Sequence, residues 1–155
     1  MANEERERKH KVVLASGVFD LLHLGHVKFL EEAKKAGGKD AELIVIVARD
    51  NTVEKRKGKK PVMPENQRRA LVESLKVVDE AVLGYEEFSI GKVVEKIKPD
   101  IIVVGHDQDG MEKNVRRYIE ERHLPIKIVK IGKFGEDELD SSSKIKQKII
   151  EHYKR

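Results

Sequence analysis

Two histidines and a glycine lie in one decapeptide, residues 17–26, which reads Gly-Val-Phe-Asp-Leu-Leu-His-Leu-Gly-His. His23 and His26 are three residues apart, so both imidazoles can face one ligand on the first turn of a helix. Gly25 lets the backbone approach an anion closely, because any side chain at that position would stand in the way. The residue types and their spacing therefore predict a phosphate site.

The segments on either side place this decapeptide between a strand and a helix. The apolar run at residues 12–15 is typical of a buried strand. The amphipathic stretch at 27–36 is typical of a helix, and Gly37 and Gly38 are a stop signal for it. The N-terminus of a helix has unpaired N–H groups and about half an elementary positive charge. Phosphate groups bind at such helix ends, which supports the prediction.

Other interpretations of these residues stay open. His23 and His26 could form half of a metal site with Asp20 as a third ligand, or they could be polar residues that fill a loop. Asp20 could instead position a Mg²⁺ ion or an acceptor substrate, or it could cap the turn that follows it.

Strand-like and helix-like segments alternate along the chain. Strands are predicted at residues 12–15, 43–48, 81–83, 101–104 and 126–131, and helices at 27–36, 64–76, 90–97, 114–122 and 143–153. The side chains expected to face the core from the last three helices are Ile90, Val93, Val94, Ile97, Val115, Tyr118, Ile119, Ile145 and Ile149. This alternation predicts an α/β fold with a five-stranded parallel sheet, doubly wound and Rossmann-like, in the order 3-2-1-4-5.

A sheet of this order has a predictable place for a ligand. Ligands bind at the carboxyl ends of the strands where the direction of winding reverses, which here is between the first and fourth strands. The first strand leads into Gly17, and the fourth leads into Gly105, His106 and Asp107. Two polar, glycine-led strand ends are therefore expected to meet in one cleft.

Composition restricts the classes of protein to which the chain can belong. Its 155 residues suit a single domain, with residues 1–10 as a charged N-terminal extension. The net charge of +4 suits a small anionic substrate or nucleic acid. The absence of cysteine excludes disulfides and thiolate chemistry. The sequence has neither an apolar leader nor an apolar stretch that could span a bilayer, so we expect a cytoplasmic protein.

The candidate chemical groups are cations and N–H donors. The sequence has neither a P-loop motif nor an arrangement typical of a covalent nucleophile. Such donors suit the attack of a phosphate on the α-phosphorus of a nucleoside triphosphate, a reaction that needs no general base at neutral pH. It needs in-line positioning and neutralisation of the leaving pyrophosphate. A Mg²⁺ ion would be bound mainly through phosphate oxygens.

The basic run at residues 55–60, Lys-Arg-Lys-Gly-Lys-Lys, follows the second predicted strand. We interpret it as a mobile loop on the same sheet edge as the histidines, able to close over the cleft. The alternative is an ordinary solvated surface.

The decapeptide resembles the signature of the nucleotidylyltransferase superfamily, in which both histidines contact the phosphates of a nucleoside triphosphate. The matching residues are Gly17, Phe19, Asp20, His23, Gly25 and His26. The resemblance implies catalytic roles for His23 and His26, and a nucleotide site that also includes Gly17, Val18, Phe19 and Gly25. It implies an acceptor contact for Asp20.

The same resemblance extends to the basic run. In the cytidylyltransferase branch, lysines of the corresponding loop contact phosphates. Alignment on the shared Gln67-Arg68 pair makes Lys57 and Lys59 the matching residues. Arg68 would bind the acceptor or a phosphate, whereas Arg69 fits a surface ion pair.

Two further motifs carry the resemblance toward the C-terminus. Gly105-His106-Asp107 resembles an element that lines the nucleotide pocket of glycerol-3-phosphate cytidylyltransferases, which implies nucleotide contacts for Gly105 and Asp107.

Ser141, Ser142 and Ser143 resemble a serine and threonine element that binds phosphate at a helix N-terminus. A turn and an ordinary N-cap are the respective alternatives. The arginine and threonine that precede this element in the family are missing; Glu136 and Asp137 lie nearby, and Lys133 could substitute.

The overall pattern looks most like archaeal FAD synthases. The segments that carry this likeness are residues 46–50, 55–61, 64–69 and 97–102. The resemblance implies ATP and FMN as substrates, a divalent cation such as Mg²⁺, transfer of AMP to FMN, and no nucleic-acid or membrane partner; we also consider a homodimer. Two alternatives are a cytidylyltransferase acting on glycerol 3-phosphate and a non-enzymatic nucleic-acid binder. The second would need stacking aromatic residues, and aromatics make up only 5% of the chain.

Overall fold

The computed structural model describes residues 10–87, 89–132 and 141–154. Its strands are β1 (Val12–Gly17), β2 (Glu42–Val47), β3 (Glu80–Leu83), β4 (Ile101–Gly105) and β5 (Lys127–Ile131). Its helices are α1 (Leu24–Ala36), α2 (Asp50–Lys57), α3 (Glu65–Glu73), α4 (Ile90–Ile97), α5 (Asp109–Arg122) and α6 (Ser142–Tyr153). Apart from His10, the expected N-terminal extension lies outside the described residues, as do Lys133, Glu136 and Asp137.

The five strands form one parallel sheet in the order β3-β2-β1-β4-β5, which confirms the predicted topology. Apolar side chains cover both of its faces. Val13 and Val45 pack with Leu30 of α1 in one cluster, and Val104 packs with Val115 of α5 in the other. The central strands β1, β2 and β4 are nearly continuous apolar runs because both faces of the sheet are buried there.

Strands β1 and β4 pair only near their beginnings. The β1–β2 ladder runs over six residue pairs, up to Gly17 and Val47, whereas β1 and β4 pair only at Val13–Ile101 and Leu14–Ile102. Beyond these pairs the two strands part toward their carboxyl ends. The predicted crevice therefore lies between β1 and β4.

The interpretation of the basic run at 55–60 as a mobile loop is wrong for residues 55–57, which form the end of helix α2. The helix runs to Lys57 and ends at Gly58, whose φ of 85° lies in the left-handed region. Val53 is its single buried residue. One apolar residue in eight cannot produce a helical period, so the sequence pattern did not reveal the helix.

Other element boundaries also differ from the predictions. Helix α1 begins at Leu24 and α5 at Asp109, earlier than predicted, because the first turn of each contains a glycine and polar residues that interrupt the apolar period. Helix α3 begins after Pro64, which is its N-cap, and ends at Glu73. The predicted burial of Ile149 is wrong, because this residue of α6 is 50% exposed.

The inward positions of α5 are confirmed for Val115 and Ile119, which are buried, whereas Tyr118 is only half-buried. The guanidinium of Arg122 lies over the Tyr118 ring, 4.1 Å from its centroid. None of the helices in the described parts of the chain is long and apolar enough to cross a membrane.

Candidate active site

The two histidines lie together at the N-terminus of α1, at the carboxyl end of β1. His23 is the N-cap residue, in extended backbone conformation, and His26 is the third residue of the helix. The rings stack with centroids 3.7 Å apart and planes at 24°. The backbone N–H of His23 donates to Nδ1 of His26 at 3.3 Å. The helix N-terminus therefore presents both imidazoles side by side, as the spacing predicted.

The surroundings of His26 favour the neutral form of its imidazole, which can still act as an N–H donor. Burial first and the nearby His23 second lower its pKa to about 4, against the opposing effect of Asp20. Because Nδ1 accepts a hydrogen bond, the proton of the neutral ring lies on Nε2. His26 thus provides an N–H donor whose protonation state does not change near neutral pH.

The turn between β1 and α1 has a strained backbone. Phe19 and Leu21 have φ values of 55° and 51°, in the left-handed region that non-glycine residues rarely adopt. A Cβ atom at Gly17 would lie 2.9 Å from the Phe19 ring, so only glycine fits there. The Phe19 ring also contacts His26, with centroids 5.4 Å apart. The aromatic residue of the motif therefore supports the histidine from the side of the core.

Asp20 uses its carboxylate to hold a neighbouring loop. Its Oδ1 accepts from the N–H of Met63 at 2.9 Å and its Oδ2 from the N–H of Val62 at 2.8 Å, while Asp20 is 5% exposed. Lys146 of α6 places its Nζ 3.6 Å from the same carboxylate. These contacts give Asp20 a structural role, and its contact with the acceptor or a metal stays a prediction. Across the described residues, no group of three or more His, Asp or Glu side chains could hold a metal ion.

Arg68 is completely buried, so its expected contact with the acceptor is wrong. Its guanidinium donates to the backbone oxygens of Val18 at 2.7 Å, Ala48 at 2.8 Å and Met63 at 2.8 Å. A fourth bond runs to the carboxylate of Asp50 at 2.7 Å. Arg68 therefore joins the turn after β1 to the end of β2 and to the loop before α3. Arg69 forms the expected surface ion pair with Glu73, at 3.0 Å.

Lys57, the last residue of α2, lies among charges from the other edges of the cleft. Burial and the nearby Arg56 lower its pKa. Asp107 and Asp20 act in the opposite direction, and Lys146 adds to the lowering. The structure thus brings Lys57 toward the turns after β1 and β4 and toward α6. Lys59 lies in the exposed segment after Gly58, and its role stays a prediction.

A glutamine that the sequence analysis missed joins the ends of β1 and β4. The Gln108 side chain accepts from the N–H of Gly105 at 2.8 Å and donates to the oxygen of Ser16 at 3.1 Å. The hydroxyl of Ser16 also donates to the sulfur of Met111, at 3.2 Å. Asp107 is exposed, and its Oδ1 would lie 3.2 Å from a Cβ atom at Gly105. The one hint of this role in the sequence was that Gln108 is a polar residue directly after the Gly105-His106-Asp107 motif, at the end of a predicted strand.

The N-terminus of α6 lies against the turn after β1. Ser141 caps this helix, its hydroxyl accepting from the N–H of Lys144 at 3.1 Å, which confirms the N-cap alternative. The hydroxyl of Ser142 donates to the backbone oxygen of Asp20, and Ser143 is exposed. Lys146 follows one turn later and is a second residue that the sequence analysis missed.

Taken together, two helix N-termini, the neutral imidazole of His26 and the ammonium groups of Lys57 and Lys146 surround the carboxyl end of β1. Helix N-termini and cations bind anions, most strongly an extended polyanion that reaches several donors at once. The arrangement suits binding of a triphosphate and stabilisation of a leaving pyrophosphate.

Comparisons with known proteins agree with this geometry. The model of the cytidylyltransferase-like family matches residues 14–148. The FAD synthase of Methanopyrus kandleri is 49% identical over 94% of this chain and 95% of its own, and that of Methanothermus fervidus is 50% identical over 88% and 92%. The crystal structure of a lipopolysaccharide core biosynthesis protein from Thermoplasma volcanium has a TM-score of 0.72 at 45% identity, covering 81% of this chain and 99% of that one. This chain belongs to the cytidylyltransferase-like family.

Proposed function

We propose that this protein is an FAD synthase, which transfers the adenylyl group of ATP to FMN and releases pyrophosphate. The observation that carries the proposal is the cluster of anion-binding groups at the carboxyl end of β1, formed by α1, α6 and Lys57. The choice of substrates is supported by near full-length similarity to FAD synthases of several archaea.

The reaction is an in-line displacement at phosphorus. A phosphate oxygen of FMN attacks the α-phosphorus of ATP, a new P–O bond forms, and the bond from the α-phosphorus to the bridging oxygen breaks as pyrophosphate leaves. The attacking phosphate is already an anion at neutral pH, so no side chain has to remove a proton. The protein contributes orientation and stabilisation of the charge that develops on pyrophosphate.

Each group of residues has a proposed part in this reaction. His26 donates from Nε2 to a phosphate oxygen, and His23 is its partner at the helix N-terminus. Lys57, Lys59 and Lys146 neutralise the triphosphate. Asp20 and Arg68 act indirectly: they hold in place the turn after β1 and the loop before α3, next to the residues that bind phosphate. The proposed nucleotide-binding residues are Gly17, Val18, Phe19, Gly25, Gly105, Asp107, Ser141, Ser142 and Ser143.

A divalent cation enters as part of the substrate, as the Mg²⁺ complex of ATP. Asp20 gives its carboxylate to two backbone N–H groups, and the described residues offer no metal cluster, so phosphate oxygens would supply most of the ligands. A cytoplasmic location fits these substrates and a chain without cysteine. A homodimer stays a prediction, which analytical ultracentrifugation tests.

The decisive experiment offers the protein each nucleotide with each acceptor. ATP or CTP is incubated with FMN or glycerol 3-phosphate in the presence of Mg²⁺, and the products are separated by chromatography. We expect FAD and pyrophosphate from ATP with FMN. If CTP with glycerol 3-phosphate were the only productive pair, the substrate assignment would be wrong while the type of reaction would stand.

A further inference from the structure

The gap between β1 and β4 is spanned by side chains where the backbone ladder stops. The last paired residues are Leu14 and Ile102, and the strands diverge beyond them. If the ladder continued in the same register, the oxygen of Ser16 and the N–H of Gly105 would be among the backbone groups that it pairs. Gln108 lies between these strand ends and bonds to both.

The Gln108 amide suits this place because it has one donor and one acceptor at its tip. Its Oε1 takes the N–H of Gly105 at 2.8 Å, and its Nε2 reaches the oxygen of Ser16 at 3.1 Å. A carboxylate of the same length would accept from Gly105 but could not donate to Ser16. A methionine side chain has about the same length as glutamine but can form neither of these two hydrogen bonds.

Capping of α5 does not explain this side chain. Gln108 is the N-cap residue of α5, but its side chain makes no hydrogen bond to the N–H groups of that helix. It turns toward the sheet instead. Met111, one turn into α5, accepts from the Ser16 hydroxyl at 3.2 Å, so the start of α5 contacts the end of β1 twice. The separation of the two strand ends is therefore determined by α5.

We propose that Gln108 is a positioning residue that sets the spacing between the turn after β1 and the turn after β4, and thereby controls nucleotide affinity. This inference rests on the proposed function, in which both turns contact the nucleotide. The two groups that Gln108 bonds, the oxygen of Ser16 and the N–H of Gly105, belong to the turns proposed to contact the nucleotide, and neither is assigned to the acceptor. The effect of Gln108 should therefore fall on nucleotide binding more than on the acceptor.

The test compares Gln108→Met and Gln108→Glu with the unchanged protein. Steady-state kinetics give KM for ATP and for FMN, calorimetric titration gives Kd for a non-hydrolysable ATP analogue, and a thermal scan gives Tm. We expect Gln108→Met to raise KM for ATP and Kd for the analogue about tenfold, because two backbone groups lose their partners. KM for FMN should stay within about twofold. Gln108→Glu should weaken nucleotide binding further, because it adds negative charge beside the triphosphate.

Gln147→Met is the matched control. The amide of Gln147 donates to Glu151 of the same helix at 3.1 Å on an exposed face, away from both strand ends, so neither KM should change. A parallel rise in both KM values with a lower Tm would show that Gln108 is merely structural, and unchanged ATP binding in both variants would also overturn the proposal. If Gln108→Met does not fold, Gln108→Leu decides by the same criteria, because it removes both hydrogen bonds without adding charge.

The Kd for the nucleotide analogue is measured without an acceptor. This measurement therefore tests the role of Gln108 independently of the proposed FAD synthase activity. A protein that binds ATP without making FAD would contradict the proposed acceptor and leave the test of Gln108 intact. If the unchanged protein binds CTP instead, the same titrations are made with a CTP analogue.

Discussion

The guanidinium of Arg68 lies 2.7 Å from the carboxylate of Asp50, and Arg68 is completely excluded from solvent. Asp50 is the first residue of α2, and its backbone N–H also donates to Glu65 of α3 at 2.9 Å. Lys57 is the last residue of the same helix. The ion pair therefore fixes the helix that carries a proposed catalytic lysine, while Arg68 itself lies fully buried behind it.

Arg68→Met should destabilise the fold strongly. The substitution leaves the Asp50 carboxylate without its buried partner and three backbone oxygens without a donor, and loss of one member of a buried pair costs about 3–5 kcal/mol. Urea denaturation measures the free energy of unfolding. Arg116→Met, at an exposed position of α5, is the control and should change it by less than about 0.5 kcal/mol. Equal effects of the two substitutions would contradict the structural role of Arg68.

Replacement of His23 or His26 by Ala should reduce kcat by about 10²–10³, the usual cost of losing one preorganised donor to a developing charge. Single-turnover measurements with saturating ATP and FMN isolate the chemical step. Thermal unfolding should change little, because neither ring belongs to the apolar clusters of the core. Active but easily unfolded variants would mean that the histidines are structural. Zinc that co-purifies with the protein and is lost on mutation would favour the metal interpretation.

His26 should make folding stability fall in weak acid. Burial lowers its pKa from 6.5 to about 4 in the folded protein, so between these pH values the unfolded chain binds a proton that the folded chain does not. This difference lowers stability as pH falls from about 6.5 to about 4, and its effect is constant above and below that window. Urea midpoints measured across this range should therefore fall less steeply for His26→Gln. His152→Gln, at an exposed residue, should follow the unchanged protein; parallel curves for His26→Gln would refute the assignment.

Loss of the lysines around the cleft should affect catalysis and spare stability. Lys57→Met, Lys59→Met and Lys146→Met should each lower kcat/KM, by up to about a hundredfold, because each removes a charge proposed to neutralise pyrophosphate. Lys57 and Lys59 are exposed and Lys146 is partly exposed, and charges at such positions contribute little to folding, so Tm should change little. Lys96→Met, on the exposed side of α4, is the control for a general change in net charge.

Trypsin provides an independent check on the same lysines. The basic run at 55–60 offers several cleavage points, and bound ATP should protect them if the lysines close over the triphosphate. If the kinetics of the lysine variants are unchanged and ATP does not alter the rate of cleavage, the basic run is an ordinary solvated surface.

The sequence by itself was sufficient for the architecture, and it brought the candidate site residues to one edge of the sheet. Apolar runs such as the one in β1 and the apolar stripe of α4 report burial through their period, and this local signal orders the elements of a doubly wound sheet. The strand order then places the ends of β1 and β4 side by side, because parallel strands share one carboxyl edge. Helix α2 escaped detection because Val53 is its only buried residue.

Only the tertiary structure decided what the polar residues of the site do. Arg68, Asp20 and Gln108 look alike in sequence as exposed donors or acceptors, yet each satisfies backbone groups that come from distant segments. Which backbone groups need a partner depends on where the ladders end and where the chain turns, and no local pattern contains that information. The neutral state of His26 has the same origin, because its pKa depends on burial by residues far apart in the chain.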